Sequence, residues 1–364
     1  LSPVFTEIPQ INPLVYQNRK NYRDAFLQAA PFKHAVIDNF FTEEFAQRLL
    51  RDFPVFDPAL AKNELGVVAK KAVNTNIREI SETYRELYRI IDSEPFLNFV
   101  GELSNIPHLV ADVKMYGGGT HENLDGQSLD PHVDFNYDET RQLHRRLNLI
   151  VYLNPGWQIE WGGGLEIHSD PRDWKTNEVR TYNPIFNRCI LFETNEVSWH
   201  GFPKIKLPEN QRHLSRKSIS IYLYTKDRPQ EEIAPWHGTF YVHRLMPEHL
   251  KPGHTLTEED VEDLGLLLTN RDNWIRRYER LELDKNRELT DKQNYINEIL
   301  GKVRAPLTGY VLQEGGSTGL YADGWAASSA SFTIRAQQPV KRLTIIGWRP
   351  DQTTVTIGAR VHDL

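Results

Sequence analysis

The sequence predicts a mainly β chain, with helices near its start and in a late charged segment. Three observations predict this. Between about 108 and 226, short β-rich runs are separated by Gly, Pro, Asn and Asp, with no helix-length periodic segment between them. That spacing argues for an antiparallel barrel or sandwich rather than repeated βαβ units. Ahead of this stretch, and again over about 255 to 305, apolar residues recur at helical spacing. After Pro306 alternation returns: Val355, Ile357, Ala359 and Val361 mark a strand with one buried face.

Taken in order, residues 1–30 are mixed and Pro-containing and read as an N-terminal arm. "HAVIDNFF" reads as a strand running into a loop. "TEEFAQRLLRDF" is a helix with Thr42 at its N-cap, and a further helix is expected across "REISETYRELYRIIDSEPFLNFVGELS". The expected strands of the main domain, 31–228, are "HLVADVKMYG", "RLNLIVYL", "GGLEIHS", "RCILFE" and "SISIYLYT". Residues 229–305 read as a mostly helical connector, Pro- and His-rich until Thr257 and Asp260 form a cap-like start. "SFTIRAQ", "VKRLTIIGW" and "TTVTIGARV" make 306–364 a C-terminal β module, sandwich-like but small for an independent domain.

Composition narrows the function. With 39% hydrophobic and 25% charged residues, the 364-residue chain can bury a normal core. A net charge of −6 without long basic runs gives no electrostatic reason to expect nucleic acid as a partner. The densest basic cluster, Arg141 to Arg146, reads as a solvated segment beside a strand. No apolar run approaches the roughly 18 residues of a membrane span. The single Cys189, within "RCILFE", excludes an intrachain disulfide framework and a Cys-rich zinc site, and reads as a buried, inert thiol. The chain opens on Leu1 with no leader pattern, so cytoplasm is the default compartment, a removed leader staying open.

His-x-Asp occurs twice, as His132 with Asp134 and as His168 with Asp170. On extended backbone, positions i and i+2 project to one face, so either pair could offer a nitrogen and an oxygen to one ion. A third ligand must come from a strand that returns alongside. His200 follows the apolar run "RCILFE" and the loop "TNEVSW". Three strand-like runs separate it from His132, enough to wind once round a barrel, but only one separates it from His168. His213, His237, His243, His249 and His254 lie in polar or Pro-rich stretches and read as exposed or loop histidines. Two imidazoles and one carboxylate on one side of an ion suit a non-haem Fe(II) oxygenase, although zinc hydrolases use the same ligand types.

Arg216 opens the alternating run "RKSISIYLYT" and shares a face with Ser218, Ser220 and Tyr222. Aimed into a barrel, its guanidinium would be a costly buried charge unless a bound carboxylate paired with it. Lys217, the rival, shares the face of Ile219, Ile221 and Leu223.

"MYGGGT", "PHVDF", "LNLIVYLNPGWQIEWGGGLEIHS", "SWHGFP" and "RKSISIYLY", in that order, resemble the motif set of 2-oxoglutarate/Fe(II) dioxygenases, most of all the prolyl 4-hydroxylase-like branch. The resemblance covers residues 31 to 228 and opens with "FKHAVIDNFFTEEFAQRLL". It implies a double-stranded β-helix core, of the jelly-roll or cupin-like kind, flanked by N-terminal helices. It implies His132, Asp134 and His200 as iron ligands and Arg216 as the partner of the 2-oxoglutarate C5 carboxylate. Tyr116 and Tyr152 match tyrosines that line the cosubstrate pocket in relatives, while a plain role as core aromatics stays open for both.

The implied cofactors are Fe(II), 2-oxoglutarate and O2, with ascorbate as reductant. The implied reaction is hydroxylation of an unactivated C–H bond, with 2-oxoglutarate decarboxylated to succinate and CO2. The presence of Asp134 favours hydroxylation over halogenation, because related halogenases replace that carboxylate. The expected substrate is a prolyl residue of a peptide or a free amino acid, with a small molecule, saccharide or glycan-linked residue as the alternative. The last reading comes from the C-terminal module, which resembles β-sandwich modules of bacterial surface-glycan enzymes. There Trp325 and Trp348 are either sugar-stacking platforms or core residues. Two rivals stand beside the oxygenase. One is a non-catalytic glycan-binding or scaffold protein with a degenerate barrel. The other is a zinc hydrolase, which lacks a placed general base and leaves Arg216 unexplained.

Overall fold

The computed structural model describes residues 7–58, 71–247, 249–303, 310–312, 318–320, 326–331 and 334–336. The chain divides into two compact units, Leu1–Asn270 and Arg271–Leu364.

The first unit opens with helices α1 (Pro13–Gln17) and α2 (Arg19–Gln28), strand β1 (His34–Ile37), helix α3 (Glu43–Arg51) and strand β2 (Lys71–Asn74). Helices α4 (Glu82–Ile91) and α5 (Glu94–Ser104) follow. Then come β3 (Val110–Ala111), β4 (Gly119–Asn123), β5 (Leu129–Val133), β6 (Tyr137–Asp138), β7 (Leu143–Tyr152), β8 (Leu165–His168) and β9 (Val179–Tyr182). The core closes with β10 (Cys189–Glu193), β11 (His200–Phe202), β12 (Arg216–Thr225) and β13 (Phe240–Tyr241). Helix α6 (Glu258–Val303) runs on from there.

All strand pairs are antiparallel. The larger sheet has the order β1-β10-β7-β12-β4-β2, with β3 on β12 and β6 on β7; the smaller has the order β13-β5-β11-β8-β9. This is a double-stranded β-helix. Period-two alternation gives the central strands two different faces. Leu147, Leu149 and Val151 of β7, Leu191 of β10, and Ile219, Ile221 and Leu223 of β12 pack in one cluster with Phe45 and Leu49 of α3, Tyr84 and Leu87 of α4, and Phe96 and Phe99 of α5. The opposite face holds Tyr152, Ile190 and Phe192, which pack on Leu165 and Ile167 of the smaller sheet. Arg216, Ser218 and Ser220 are buried on this interior face of β12. The face expected for Arg216 is the one it occupies.

Several local expectations change. The stretch read as an arm forms α1 and α2, and Val15, Tyr16 and Phe26 are buried in the main core. The long helix expected from 78 onward is two helices. Asp92 ends α4, Ser93 caps α5 by accepting from the Phe96 amide, and Pro95 sits in the first turn, where a missing N–H costs nothing. "HLVADVKMYG" yields only the two-residue β3, since His108 and Met115 take positive φ angles. Strands β2, β4, β5, β6, β9, β11 and β13 lie outside the runs expected as strands. The helix at 42–53 did form, with Thr42 accepting from the Phe45 amide.

In the second unit the described strands are β14 (Tyr310–Leu312), β15 (Thr318–Leu320), β16 (Ala326–Ser331) and β17 (Ile334–Ala336), paired β14 with β17 and β15 with β16. The strands expected over 340–348 and 353–361, with Trp325 and Trp348, lie outside the described residues. Among the described residues no helix is long and apolar enough to cross a membrane.

Candidate functional site

Strands β5 and β11 pair with His200 directly opposite His132. Directly paired residues project to one face, so the two rings lie 4.2 Å apart between centroids. Asp134 follows immediately after β5. Its Oδ1 lies 3.9 Å from His132 Nε2 and its Oδ2 3.6 Å from His200 Nε2, both too long for a hydrogen bond. One ligand atom from each of the three lies within 4.8 Å of the other two, and both histidines are buried.

The imidazoles are oriented from behind. His132 Nδ1 donates to the Asp130 carbonyl at 2.9 Å, and His200 Nδ1 donates to the Ser198 carbonyl at 2.9 Å. A carbonyl only accepts, so each Nδ1 carries the proton and each Nε2 presents a lone pair to the shared space. Burial lowers the His200 pKa against the pull of Asp134, which keeps the ring neutral, as a metal ligand must be. Burial alone would raise the Asp134 pKa. The Arg145 guanidinium foremost, with the Asn148 amide, outweighs it and holds the carboxyl well below the usual range. Arg145 Nη2 and Asn148 Nδ2 both donate to Asp134 Oδ2, at 3.1 and 2.7 Å. Both carboxylate oxygens face the histidines, Oδ1 towards His132 and Oδ2, held by Arg145 and Asn148, towards His200.

Beyond this cluster lies a buried cation. Arg216 is 4% exposed. Its Nε donates to the Gly163 carbonyl at 2.6 Å, and Nη1 and Nη2 donate to Asn123 Oδ1 and the Tyr152 hydroxyl, each at 3.3 Å. Gly163, at φ +69°, permits this approach, because a Cβ there would meet Arg216 Cδ at 3.1 Å. All three acceptors are neutral, and among the described residues no carboxylate pairs with Arg216. Phe202, two residues past His200, lies 4.3 Å under the guanidinium and links this pocket to the histidine cluster. Asn123 Nδ2 is also buried there with no hydrogen-bond partner. A buried, uncompensated cation beside an orphaned donor fits an anionic ligand with a terminal carboxylate. The His/His/carboxylate donor set fits a divalent iron-like ion with an open face.

The remaining residues singled out from the sequence fall differently. Tyr152 is fully buried on β7 with its hydroxyl on Arg216. Tyr116 is 71% exposed, its ring edge-on to Phe135, and no hydrogen bond or ring contact among the described residues joins it to Arg216. Lys217 points away from the pocket, to Glu122 Oε1 at 3.2 Å. His168 bonds Asn177 and faces Glu166, and Asp170 is an exposed turn residue capping Arg172, so neither joins the cluster.

Four contributing residues were not legible in the sequence. Arg145 and Arg146, read as part of a solvated segment, are 1% and 5% exposed, because Asp134 and Glu193 supply buried counter-charges. Asn148, on the interior face of β7, locks Asp134. Tyr241 of β13 pairs opposite His132 and stacks on its ring at 5.0 Å, so a chain ended at residue 228 would lack it. On a regular strand Arg145 and Asn148, three positions apart, would face opposite sides; a register shift at Arg146 against β12 turns both inward, which alternation in the sequence does not signal.

Arg145→Met should destabilise the metal-free protein by about 3 to 5 kcal/mol, the cost of stripping one partner from a buried ion pair. With Mn(II) bound the loss should shrink, because the dication then neutralises Asp134. Urea unfolding with and without Mn(II) measures both. Equal losses would mean that Arg145 serves packing alone.

Residues 118–224 match the model of the 2OG-Fe(II) oxygenase superfamily. Prolyl 3-hydroxylase OGFOD1 of Mus musculus is 25% identical over 214 residues, 54% of this chain and 34% of that protein. The match thus spans about a third of that relative's length. Among solved structures, a Trichoplax adhaerens prolyl hydroxylase in complex with a peptide fragment of the hypoxia inducible factor is 16% identical. It covers 61% of this chain and 95% of its own, with a TM-score of 0.42. A prolyl 4-hydroxylase of Phytophthora capsici is 17% identical and covers 73% of this chain and 77% of its own, with a TM-score of 0.40.

Proposed function

Because residues 118–224 of this chain are a 2OG-Fe(II) oxygenase domain, we propose that it hydroxylates an unactivated C–H bond of a prolyl residue in a peptide or protein. His132, Asp134 and His200 hold Fe(II), and Arg216 holds the C5 carboxylate of 2-oxoglutarate. Bound there, Fe(II) and 2-oxoglutarate activate O2 for hydroxylation as 2-oxoglutarate is converted to succinate and CO2.

The observation that carries this reading is the buried Arg216 with no carboxylate partner among the described residues. A zinc hydrolase has no use for it. A dead barrel would be relieved of its cost by any neutral side chain. The chain's own residues have clear tasks. The two Nδ1 hydrogen bonds fix both Nε2 lone pairs, and Arg145 with Asn148 fixes Asp134. The Asn123 amide and Tyr152 hydroxyl complete the carboxylate pocket. Phe192, packed 4.7 Å from the His200 ring, and Tyr241 over His132 keep water from the back of the ligands.

A prolyl substrate is supported by the relationship to a prolyl 3-hydroxylase. It is also supported by an open cavity of about 190 Å³ that begins two residues past Asp134. Asn136, Tyr137, Glu196, Arg228 and Trp236 line it, a mixed polar and aromatic wall suited to a chain rather than a buried small molecule. Screening Fe(II)-dependent succinate release against a library of prolyl peptides and sugars tests this. Release coupled to a peptide's gain of one oxygen is the expected result, and NMR of the product then places the hydroxyl on C3 or C4. Coupled turnover with sugars alone would sink the prolyl assignment.

A further inference from the structure

Away from the oxygenase cluster, a second group of ligand-type side chains converges where the 249–254 turn meets the start of α6. His249 Nε2 lies 2.6 Å from Asp260 Oδ1, and His254 Nε2 lies 2.9 Å from Asp260 Oδ2. The two rings are 5.3 Å apart between centroids. One ligand atom from each of the three lies within 4.8 Å of the others. Both histidines are exposed loop residues, as their Pro-rich surroundings predict, but the fold brings the two together on one carboxylate.

The turn that makes this possible is "KPGH". Gly253 takes φ +90°, a conformation that other residues rarely adopt, and so doubles the chain back to bring His254 beside His249. Asp260 already has a complete local task. It accepts from the Thr257 amide and hydroxyl, each at 2.8 Å, while Thr257 Oγ1 accepts from the Asp260 amide at 3.2 Å. That reciprocal pair caps the helix by itself. Two imidazoles aimed at the same carboxylate are surplus to capping.

We propose that His249, His254 and Asp260 form a second divalent-metal site, structural rather than catalytic and suited to a zinc-like ion, which ties the 249–254 turn to the first turn of α6. Two imidazoles and one carboxylate are a ligand set that zinc accepts, with water in the fourth position. Ligand atoms about 2.0 to 2.1 Å from a tetrahedral ion stand roughly 3.3 Å apart. The present N···O distances of 2.6 and 2.9 Å must therefore open by less than about 1 Å. Both histidine side chains are partly exposed, at 57% and 29%, and can make that shift while Asp260 stays anchored. The proton now on each Nε2 passes to Nδ1 or to solvent as the lone pair turns to the ion. The positive end of the helix opposes a cation here; Glu258 and Asp260 in the first turn offset it, while Glu259 is paired with Lys206.

Zinc titration of the full chain tests the site. The native protein should take up two equivalents, and the His132→Ala/His200→Ala variant should retain one. Adding His254→Ala should weaken that remaining equivalent at least about a hundredfold, beyond the roughly 10- to 100-fold lost when a group that only hydrogen-bonds a ligand is removed. Asp260→Asn keeps an acceptor for the cap but loses the anionic ligand. It should weaken zinc binding while leaving the helical circular dichroism unchanged. The proposal is overturned if the His132→Ala/His200→Ala variant binds no zinc, or binds it equally with and without His254. It is equally overturned if Asp260→Asn binds as well as Asp260.

Discussion

His132→Ala should abolish binding of Mn(II) at the oxygenase cluster and all succinate formation, whereas His168→Ala should leave both nearly intact. His132 is one of three donors held within 4.8 Å of one another, and its Nε2 is aimed by the Nδ1 bond to the Asp130 carbonyl. His168 lies on the adjacent strand β8, where Ile167 and not His168 pairs with His200. Its Nδ1 bonds Asn177 and its Nε2 lies 3.5 Å from Glu166, facing away from the cluster's three ligand atoms. Losing a direct ligand should cost more than the roughly 10- to 100-fold lost when a group that only hydrogen-bonds a ligand is removed. Mn(II) titration followed by electron paramagnetic resonance separates the two variants. Loss of the metal in His168→Ala with retention in His132→Ala would show that the wrong His-x-Asp pair had been chosen.

The second large effect is at Arg216. Arg216→Ala should raise the 2-oxoglutarate concentration needed for half-maximal turnover at least about tenfold, with metal affinity largely unchanged. A guanidinium grips a carboxylate with two parallel hydrogen bonds. Charge-assisted bonds of this kind are worth about 1.5 to 3 kcal/mol each, and 1.4 kcal/mol is a factor of ten. Lys217→Ala should change the requirement far less, because that ammonium faces Glu122. Stability should respond far less than at Arg145. A buried cation without a counter-ion costs free energy in the ligand-free protein, so Arg216→Met should cost that form little, where Arg145→Met costs several kcal/mol. Succinate formation against 2-oxoglutarate concentration, at saturating iron, reads the first effect. An equal or larger change at Lys217 would overturn the assignment of the pocket.

Much of this was legible in the sequence, and the reason is local. Alternation along "RKSISIYLYT" put Arg216 with Ser218 and Ser220 on one face and Ile219, Ile221 and Leu223 on the other, as the packing of β12 has it. Thr42 before an apolar helical stripe marked the start of α3. The ordered motifs singled out His132, Asp134 and His200, and the structure brings those three together. Each of these signals is carried by residues a few positions apart, within reach of backbone periodicity and cap chemistry.

What only the tertiary structure decided are the meetings between distant segments. The register of β5 on β11 sets His200 opposite His132. Arg145 looked solvated because its counter-charge, Asp134, stands eleven positions away on another element. Tyr241 reaches His132 from a segment that read as connector, by adding β13 to the free edge of β5. His249 and His254 are the exposed loop residues that the sequence predicts, but only the turn at Gly253 brings both onto Asp260. The physical reason is common to all four. A side chain's exposure along one strand or helix follows from its own neighbours in sequence, but whether a buried charge or imidazole is stable there depends on the partner that the fold brings to it.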